Sequence, residues 1–107
     1  MKIPSDVVVG EGDNTATITL TPIGWGELPY AYLVHPKDEM IMRRGVVECI
    51  GTVMESDDHY ARVPTPEAPW KVTLYNGTES RSRQFPKLEA GLNVAKHFVG
   101  LGELVQA

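Results

Sequence analysis

The Asn76-Gly77 dipeptide is the feature that most constrains how this chain can fold. It stands between two predicted strands: Trp70–Tyr75 before it alternates apolar and polar residues, and Thr78–Phe85 after it is the return segment. Asn-Gly accepts the positive backbone angles that a tight hairpin turn requires. The segment therefore predicts two antiparallel strands joined by a short loop.

A helix is predicted directly after this hairpin, over Pro86–Val99. Four apolar residues of this segment recur at helical spacing and form one stripe. They are Leu88, Leu92, Ala95 and Val99. Gly100 is expected to end the helix. The tail Leu101–Val105 is expected to add an edge strand or to pack back on the helix.

Several shorter strands are predicted in the rest of the chain. Thr15–Thr21 alternates strictly, with threonines on one face and apolar residues on the other. This alternation is typical of a half-buried strand, and Val7–Val9 is expected to form a hairpin with it. The remaining predicted strands are Tyr30–Val34, Val46–Met54 with a bulge at Gly51, and His59–Val63.

Prolines, glycines and acidic residues mark the breaks between these elements. Pro22–Pro29, which contains Trp25, is predicted to be an irregular loop because two prolines and two glycines interrupt both kinds of hydrogen-bond ladder. Glu55–Asp58 is predicted to be a charged turn. Pro64–Pro69 is predicted to be an extended connector.

The segment 36–44 fits two interpretations. A short helix is preferred, with Pro36 at its first position and Gly45 as a left-handed cap. The competing interpretation is a strand over Glu39–Arg43 that turns back through Arg44-Gly45.

The order of these elements predicts an α+β fold. We expect an antiparallel β-sheet of five to seven short strands with one C-terminal α-helix packed on one face, and a single domain over residues 1–107. The ten glycines and eight prolines among 107 residues agree with many short elements and tight turns.

The residues that could carry chemistry are few. Cys49, the only cysteine, lies in an apolar run and is expected to be a small buried hydrophobe. His35, His59 and His97 have no metal-ligand spacing, and His59 beside Asp57-Asp58 is more typical of a solvated acidic turn than of a metal site. With no nucleophile elbow and no phosphate-binding loop, the sequence predicts neither an enzyme nor a cofactor.

The distribution of apolar residues also predicts the location. No apolar run has the length of a signal-peptide core or of a membrane-spanning helix. Together with the single cysteine, this predicts a cytoplasmic protein that does not bind membranes.

Acidic and basic residues are distributed unevenly along the chain, and the basic excess falls in the part that contains the hairpin. Eleven acidic and five basic residues precede position 70, whereas three acidic and five basic residues follow from there. If the hairpin loop has three residues, then Lys71 and Tyr75 share a face with Arg81 and Arg83, and this face is a basic strip suited to phosphates or to an acidic protein surface. If the loop has two residues, the arginines instead cover the apolar face beside Trp70 and Val72.

Residues 60–99 resemble the arm-binding domain of phage tyrosine integrases, a small module of three antiparallel strands and one helix. The matching features are Trp70-Lys71-Val72, the Asn-Gly turn, the Ser80–Phe85 strand and the helix from Glu89 to Phe98. The resemblance implies that the sheet contacts DNA through Lys71, Tyr75, Arg81 and Arg83. More broadly, it implies a small phage-encoded accessory protein.

These observations lead to one expected function and one alternative. We expect a non-catalytic binding protein that engages a host protein through its sheet or through the loop that carries Trp25. The alternative is a DNA-binding module that uses the basic strip of the 70–85 hairpin.

Overall fold

The computed structural model describes residues 4–24, 29–50, 52–56, 59–63 and 69–105. The described residues form eight strands and one helix. They are β1 (Ser5–Glu11), β2 (Asn14–Ile23), β3 (Ala31–Pro36), β4 (Arg43–Cys49), β5 (Thr52–Ser56), β6 (His59–Val63), β7 (Trp70–Asn76), β8 (Glu79–Phe85) and α1 (Leu88–Leu101).

Six of the strands form one antiparallel sheet in the order β1-β2-β3-β4-β7-β8. The remaining two, β5 and β6, lie between β4 and β7 in the chain and pair with each other. Helix α1 packs across one face of the six-stranded sheet. The predicted α+β fold with a C-terminal helix is therefore confirmed. The hairpins expected around Gly10–Asn14 and around Asn76-Gly77 are both present.

The core lies between α1 and the sheet. Every strand of the sheet contributes to it only those side chains that point toward α1, because successive side chains of a strand point to opposite faces. Its buried members are Val9, Ile18, Val34, Val47, Val72, Leu74 and Phe85 from the sheet, and Val94, Ala95 and Val99 from α1. Cys49 is 1% exposed, as expected of a small buried hydrophobe.

Helix α1 lies close to the sheet because small residues line its inner face. A Cβ atom on Gly100 would lie 2.5 Å from Val9 Cγ2, and one on Gly91 would lie 3.0 Å from Val72 Cγ2. The prediction that Gly100 ends the helix is wrong, because Gly100 is a buried residue inside it.

The helix ends at Leu101, and Gly102 follows it as the left-handed cap. Gly102 adopts φ 72°, and its N–H donates to Phe98 O at 2.9 Å. Leu101 and Val105 of the predicted tail pack against the core, and the described tail forms no strand.

The helix preferred for 36–44 is wrong, and so is the competing strand over 39–43. Pro36 belongs to β3, and the Lys37 N–H donates to Thr17 O at 3.0 Å, which continues the pairing of β3 with β2. Because β4 begins at Arg43, residues 37–42 between the two strands are too few for a helix and form a turn. The Asp38 side chain closes this turn by accepting the Met40 N–H at 3.0 Å. Gly45, predicted as a helix cap, is a buried residue of β4.

The loop predicted for Pro22–Pro29 begins later than expected, because β2 continues through Pro22 to Ile23. Pro22 pairs with Tyr32 of β3, whereas the pairing of β2 with β1 ends at Leu20. A residue without an N–H is tolerated where a strand has a partner on one side only. Trp25, Gly51, the end of the Glu55–Asp58 turn and the 64–68 connector lie outside the described residues.

Candidate functional site

The register of the β7–β8 hairpin decides where its cations lie. Asn76 pairs with Glu79, so the loop consists of Gly77 and Thr78. Arg81 consequently stands opposite Leu74, and Arg83 stands opposite Val72. Residues that pair across strands share a face, so both arginines lie on the face that α1 covers.

The basic strip predicted from a three-residue loop is therefore not formed. Lys71 and Tyr75 lie on the opposite, open face of the sheet, where they pair with Gln84 and Ser80. The arginines take the face expected for a two-residue loop, but their partners are Leu74 and Val72 instead of Val72 and Trp70. A shift by an odd number of residues exchanges the two faces of a strand, and such a shift separates the observed hairpin from the predicted strip.

The two arginines border an open groove between β8 and α1. Its larger part has a volume of about 610 Å³ and is lined by Leu74, Arg81, Phe98 and Leu104, among others. Its smaller part, about 270 Å³, continues past Arg83 to Phe85 and Val105. The Arg83 guanidinium lies 5.0 Å from the centre of the Phe85 ring, so the side chain follows the apolar floor. We call this feature the β8 groove.

The open face of the sheet carries a second surface, which we call the open-face patch. It consists of Leu33, Met42, Val46 and Tyr75, and it borders a shallow groove of about 520 Å³. Leu33 pairs with Val46, and Tyr75 lies in the next row beside Arg44. The exposed fractions are 37% for Leu33, 65% for Met42 and 40% for Tyr75. Three large apolar side chains are thus accessible at one site.

Polar side chains surround the open-face patch. His35 and Arg44 line the same groove. Arg44 is directed toward the β3–β4 turn, where its guanidinium donates to Ile41 O at 2.8 Å and to Arg43 O at 2.7 Å. Threonines of β2 occupy the open face toward β1, and Thr21 pairs with Leu33 directly. The patch is therefore an apolar surface with a polar margin.

An ion pair stands at the β1 edge of the same face. Lys37 Nζ donates to Asp6 Oδ2, and Thr19 Oγ1 donates to Asp6 Oδ1 at 2.9 Å. These two hydrogen bonds hold the pKa of the Asp6 carboxyl below its usual value, and the one from Lys37 has the larger effect. Lys37 is therefore neutralised locally and does not extend a basic surface.

The predicted binding residues thus separate into distinct places. Tyr75 belongs to the open-face patch, and Arg81 and Arg83 belong to the β8 groove. Lys71 lies on the open face but pairs directly with the oppositely charged Glu48. Trp25 lies outside the described residues, so its expected role in binding stays a prediction.

Sequence reasoning misses Leu33, Met42 and Val46 as surface residues. Leu33 and Val46 fall in predicted strands, but the pattern Tyr30–Val34 is apolar at every position and does not show which face is covered. The helix predicted over 36–44 places Met42 in a helix, whereas in the structure Met42 directly precedes β4. The one signal that could find the patch is the pairing of two apolar residues on one face, and this requires the strand register.

The described residues contain no group of three or more His, Cys, Asp or Glu side chains that could hold a metal ion. Within the same part of the chain, no helix is long and apolar enough to cross a membrane. His97 is engaged locally, with Nδ1 2.8 Å from Asn93 O.

Comparisons of the chain with protein-family models, with curated proteins and with solved structures find no match. The resemblance of residues 60–99 to integrase arm-binding domains stays a prediction.

Proposed function

We propose that this protein is a non-catalytic binding module that engages another protein through the open-face patch. The observation that carries the proposal is the exposure of Leu33, Met42 and Tyr75 at one site on the face of the sheet opposite α1. A contiguous exposed apolar surface with a polar margin is a common property of protein interaction sites.

The composition of the patch supports a protein partner. Tyrosine, methionine and arginine are enriched at the centres of protein interfaces, and Tyr75, Met42 and Arg44 all border the same groove. The hydroxyl of an exposed tyrosine can hydrogen-bond while its ring is buried by a partner. Leu33 of β3 and Val46 of β4, which pair with each other, supply apolar surface beside these side chains.

Binding of DNA by the hairpin has less support. Phosphate binding depends on several cations that face the same way. Here Lys71 lies on the open face opposite Glu48, whereas Arg81 and Arg83 lie on the helix-covered face. The net charge of the whole chain is −4. The protein-binding function is therefore favoured over the DNA-binding alternative.

The finer expectations are part of the proposal. We propose that the protein is phage-encoded, that it acts in the cytoplasm and that its partner is a host protein. These statements derive from the sequence pattern, and the open-face patch is compatible with them.

Photo-crosslinking tests the site. A photoreactive phenylalanine analogue replaces Tyr75 in one sample and Glu89, which is exposed on α1, in a control sample. Both proteins are irradiated in a lysate of a candidate host. We expect a specific crosslinked protein from position 75 and none from position 89.

The captured protein is then purified and titrated against Leu33→Asp, with Thr17→Asp as the control on the same face. We expect Leu33→Asp to weaken binding by at least about tenfold, because a charge would be buried against an apolar partner surface. Thermal melting of both variants confirms that they are folded. Equal affinity of the two folded variants would contradict the proposed site.

A further inference from the structure

Strand β8 leaves its outer edge without a partner strand. It is the last strand of the six-stranded sheet, and no described residue pairs with it on that side. A two-residue loop is closed by hydrogen bonds between its flanking residues, here Asn76 and Glu79, and the bonded pairs then alternate along the hairpin. Ser80, Ser82 and Gln84 therefore direct their backbone N–H and C=O groups outward.

The β8 edge is regular and accessible. Residues 79–84 are all exposed, and the strand contains neither proline nor glycine. The opposite edge differs, because β1 contains Gly10 with φ 100°, which departs from strand geometry. Free backbone groups on a regular edge are a template for an additional strand.

The charged residues on the groove side of this edge are Glu79, Arg81 and Arg83, and the two arginines determine the kind of strand that fits. Arg81 and Arg83 are exposed, and the described residues form no ion pair with either of them. A strand added beside β8 would place alternate side chains directly next to both arginines, over the β8 groove. Carboxylates at these positions would pair with the guanidinium groups, and apolar side chains at the flanking positions would contact Leu104 and Phe98.

A second copy of this chain fits the edge poorly in the register that overlaps the two β8 strands completely. Two β8 strands paired antiparallel about Ser82 would place Arg81 of one copy opposite Arg83 of the other. Like charges directly opposite each other destabilise a strand pair. The charge pattern therefore favours a partner of opposite charge over self-association.

We infer that β8 binds an extended acidic peptide segment of a partner protein as an additional strand, with two acidic residues at alternating positions facing Arg81 and Arg83. This inference goes beyond the proposed function, because it assigns a second surface, on the edge of the sheet, with its own ligand chemistry.

The probe is a fluorescently labelled peptide of sequence VTETETVT, titrated against the full chain at low salt. Peptides with glutamine or lysine in place of both glutamates serve as controls. We expect the acidic peptide to bind about tenfold more tightly than the glutamine peptide, and the lysine peptide to show no measurable binding.

Charge reversal identifies the side chains involved. The double variant Arg81→Glu/Arg83→Glu should lose the acidic peptide and gain the lysine peptide. Lys87→Glu/Lys96→Glu makes the same change in net charge elsewhere and should keep the original preference. Equal effects of the two double variants would overturn the inference, because the peptide would then respond only to net charge.

Amide hydrogen exchange identifies the edge itself. Bound peptide should slow exchange at Ser80, Ser82 and Gln84, whose N–H groups would enter a new ladder. Unchanged exchange at all three would overturn strand addition.

Two other occupants of the edge would also overturn the inference. One is duplex DNA, if it binds in preference to the acidic peptide and its binding is lost in the Arg81/Arg83 variant. The other is a second copy of the chain, if a dimer formed through β8 excludes the peptide. The variant Leu33→Asp should keep peptide binding, so the outcome is separable from that of the open-face patch.

Discussion

At the residue scale, glycine decides two local geometries that no other residue would satisfy as well. Gly77 adopts φ 63° in the hairpin loop. Gly100 has a conventional helical position, but Val9 and Ile18 occupy the space where a side chain would lie. The first glycine is required by backbone conformation, and the second is required by packing.

Replacement of Gly77 tests the turn. We expect Gly77→Val to lower the free energy of unfolding by about 1–3 kcal/mol, because a β-branched residue is strained at positive φ. Gly77→Asn should cost much less, since asparagine enters this region more readily. Chemical denaturation of both variants measures the difference. A valine variant as stable as the asparagine variant would contradict the left-handed turn.

Replacement of Gly100 tests the close approach of helix and sheet. A Cβ atom 2.5 Å from Val9 Cγ2 must displace the Val9 side chain, the helix or the strand. We expect Gly100→Ala to cost about 1–3 kcal/mol by overpacking, even though alanine favours helices. Glu89→Ala, on the exposed side of α1, should be within about 0.5 kcal/mol of the parent. Thermal melting compares the two, and a stabilised Gly100→Ala variant would contradict the packing.

At the scale of elements, the end of α1 is stabilised by a strand. The last turn of α1 contains no basic residue. Arg43 of β4 supplies the charge instead: its Nε donates to Val99 O at 3.2 Å, and its Nη2 donates to Gly100 O at 3.3 Å. A cation at the carboxyl end of a helix interacts favourably with the helix dipole, so β4 and α1 are coupled by this residue.

Removal of that cation should loosen the helix end. We expect Arg43→Met to cost about 1–2 kcal/mol, because two charged hydrogen bonds to carbonyl groups are lost while most of the apolar stem is kept. Arg44→Met, which loses hydrogen bonds only to the adjacent turn, should cost less. Amide exchange near residue 102 should accelerate in the first variant alone. Equal acceleration in both would argue against the cap.

The ion pair between Asp6 of β1 and Lys37 of the β3–β4 turn should make the stability of the fold depend on pH. The pKa of Asp6 is lowered in the folded protein by the hydrogen bonds from Lys37 and Thr19. Its contribution is therefore fully present above the ordinary aspartate pKa of 3.8 and is lost as pH falls through the lower pKa of the folded state. We expect Asp6→Asn to melt below the parent at neutral pH and to approach it in acid. A constant difference in melting temperature across this range would contradict the linkage.

At the scale of the whole molecule, α1 covers one face of the antiparallel sheet, whereas the other face carries the open-face patch. Val47 is fully buried at the centre of the covered face, between Tyr32 and Val72. Val8 is 65% exposed on the open face of the edge strand β1. The two valines have the same chemistry and different environments.

Truncation of these two valines measures how much the covered face contributes. We expect Val47→Ala to cost about 2–3 kcal/mol through lost burial and the cavity left behind. Val8→Ala should cost less than about 0.5 kcal/mol. Urea denaturation of both variants gives the free energies. Similar losses at the two positions would show that the open face is also covered in solution.

The sequence by itself determined the elements that depend on local chemistry. The hairpin at Asn76-Gly77, the hairpin that ends in Thr15–Thr21 and a helix after Pro86 were all predictable, because turn residues and hydrophobic period act over a few neighbours. The preferred helix at 36–44 failed where pairing of Pro36 and Arg43 with other strands overrode local helix signals.

Only the tertiary structure decided which faces these elements present. Adjacent strands β4 and β7 are separated in the chain by β5 and β6, so their pairing could not be read locally. The loop register placed Arg81 and Arg83 at the β8 groove, and the pairing of β7 with β4 placed Tyr75 with Leu33 and Met42 in the open-face patch. Register depends on the free energy of burying one whole face of the sheet under α1, and that quantity belongs to the assembled molecule rather than to any segment of its sequence.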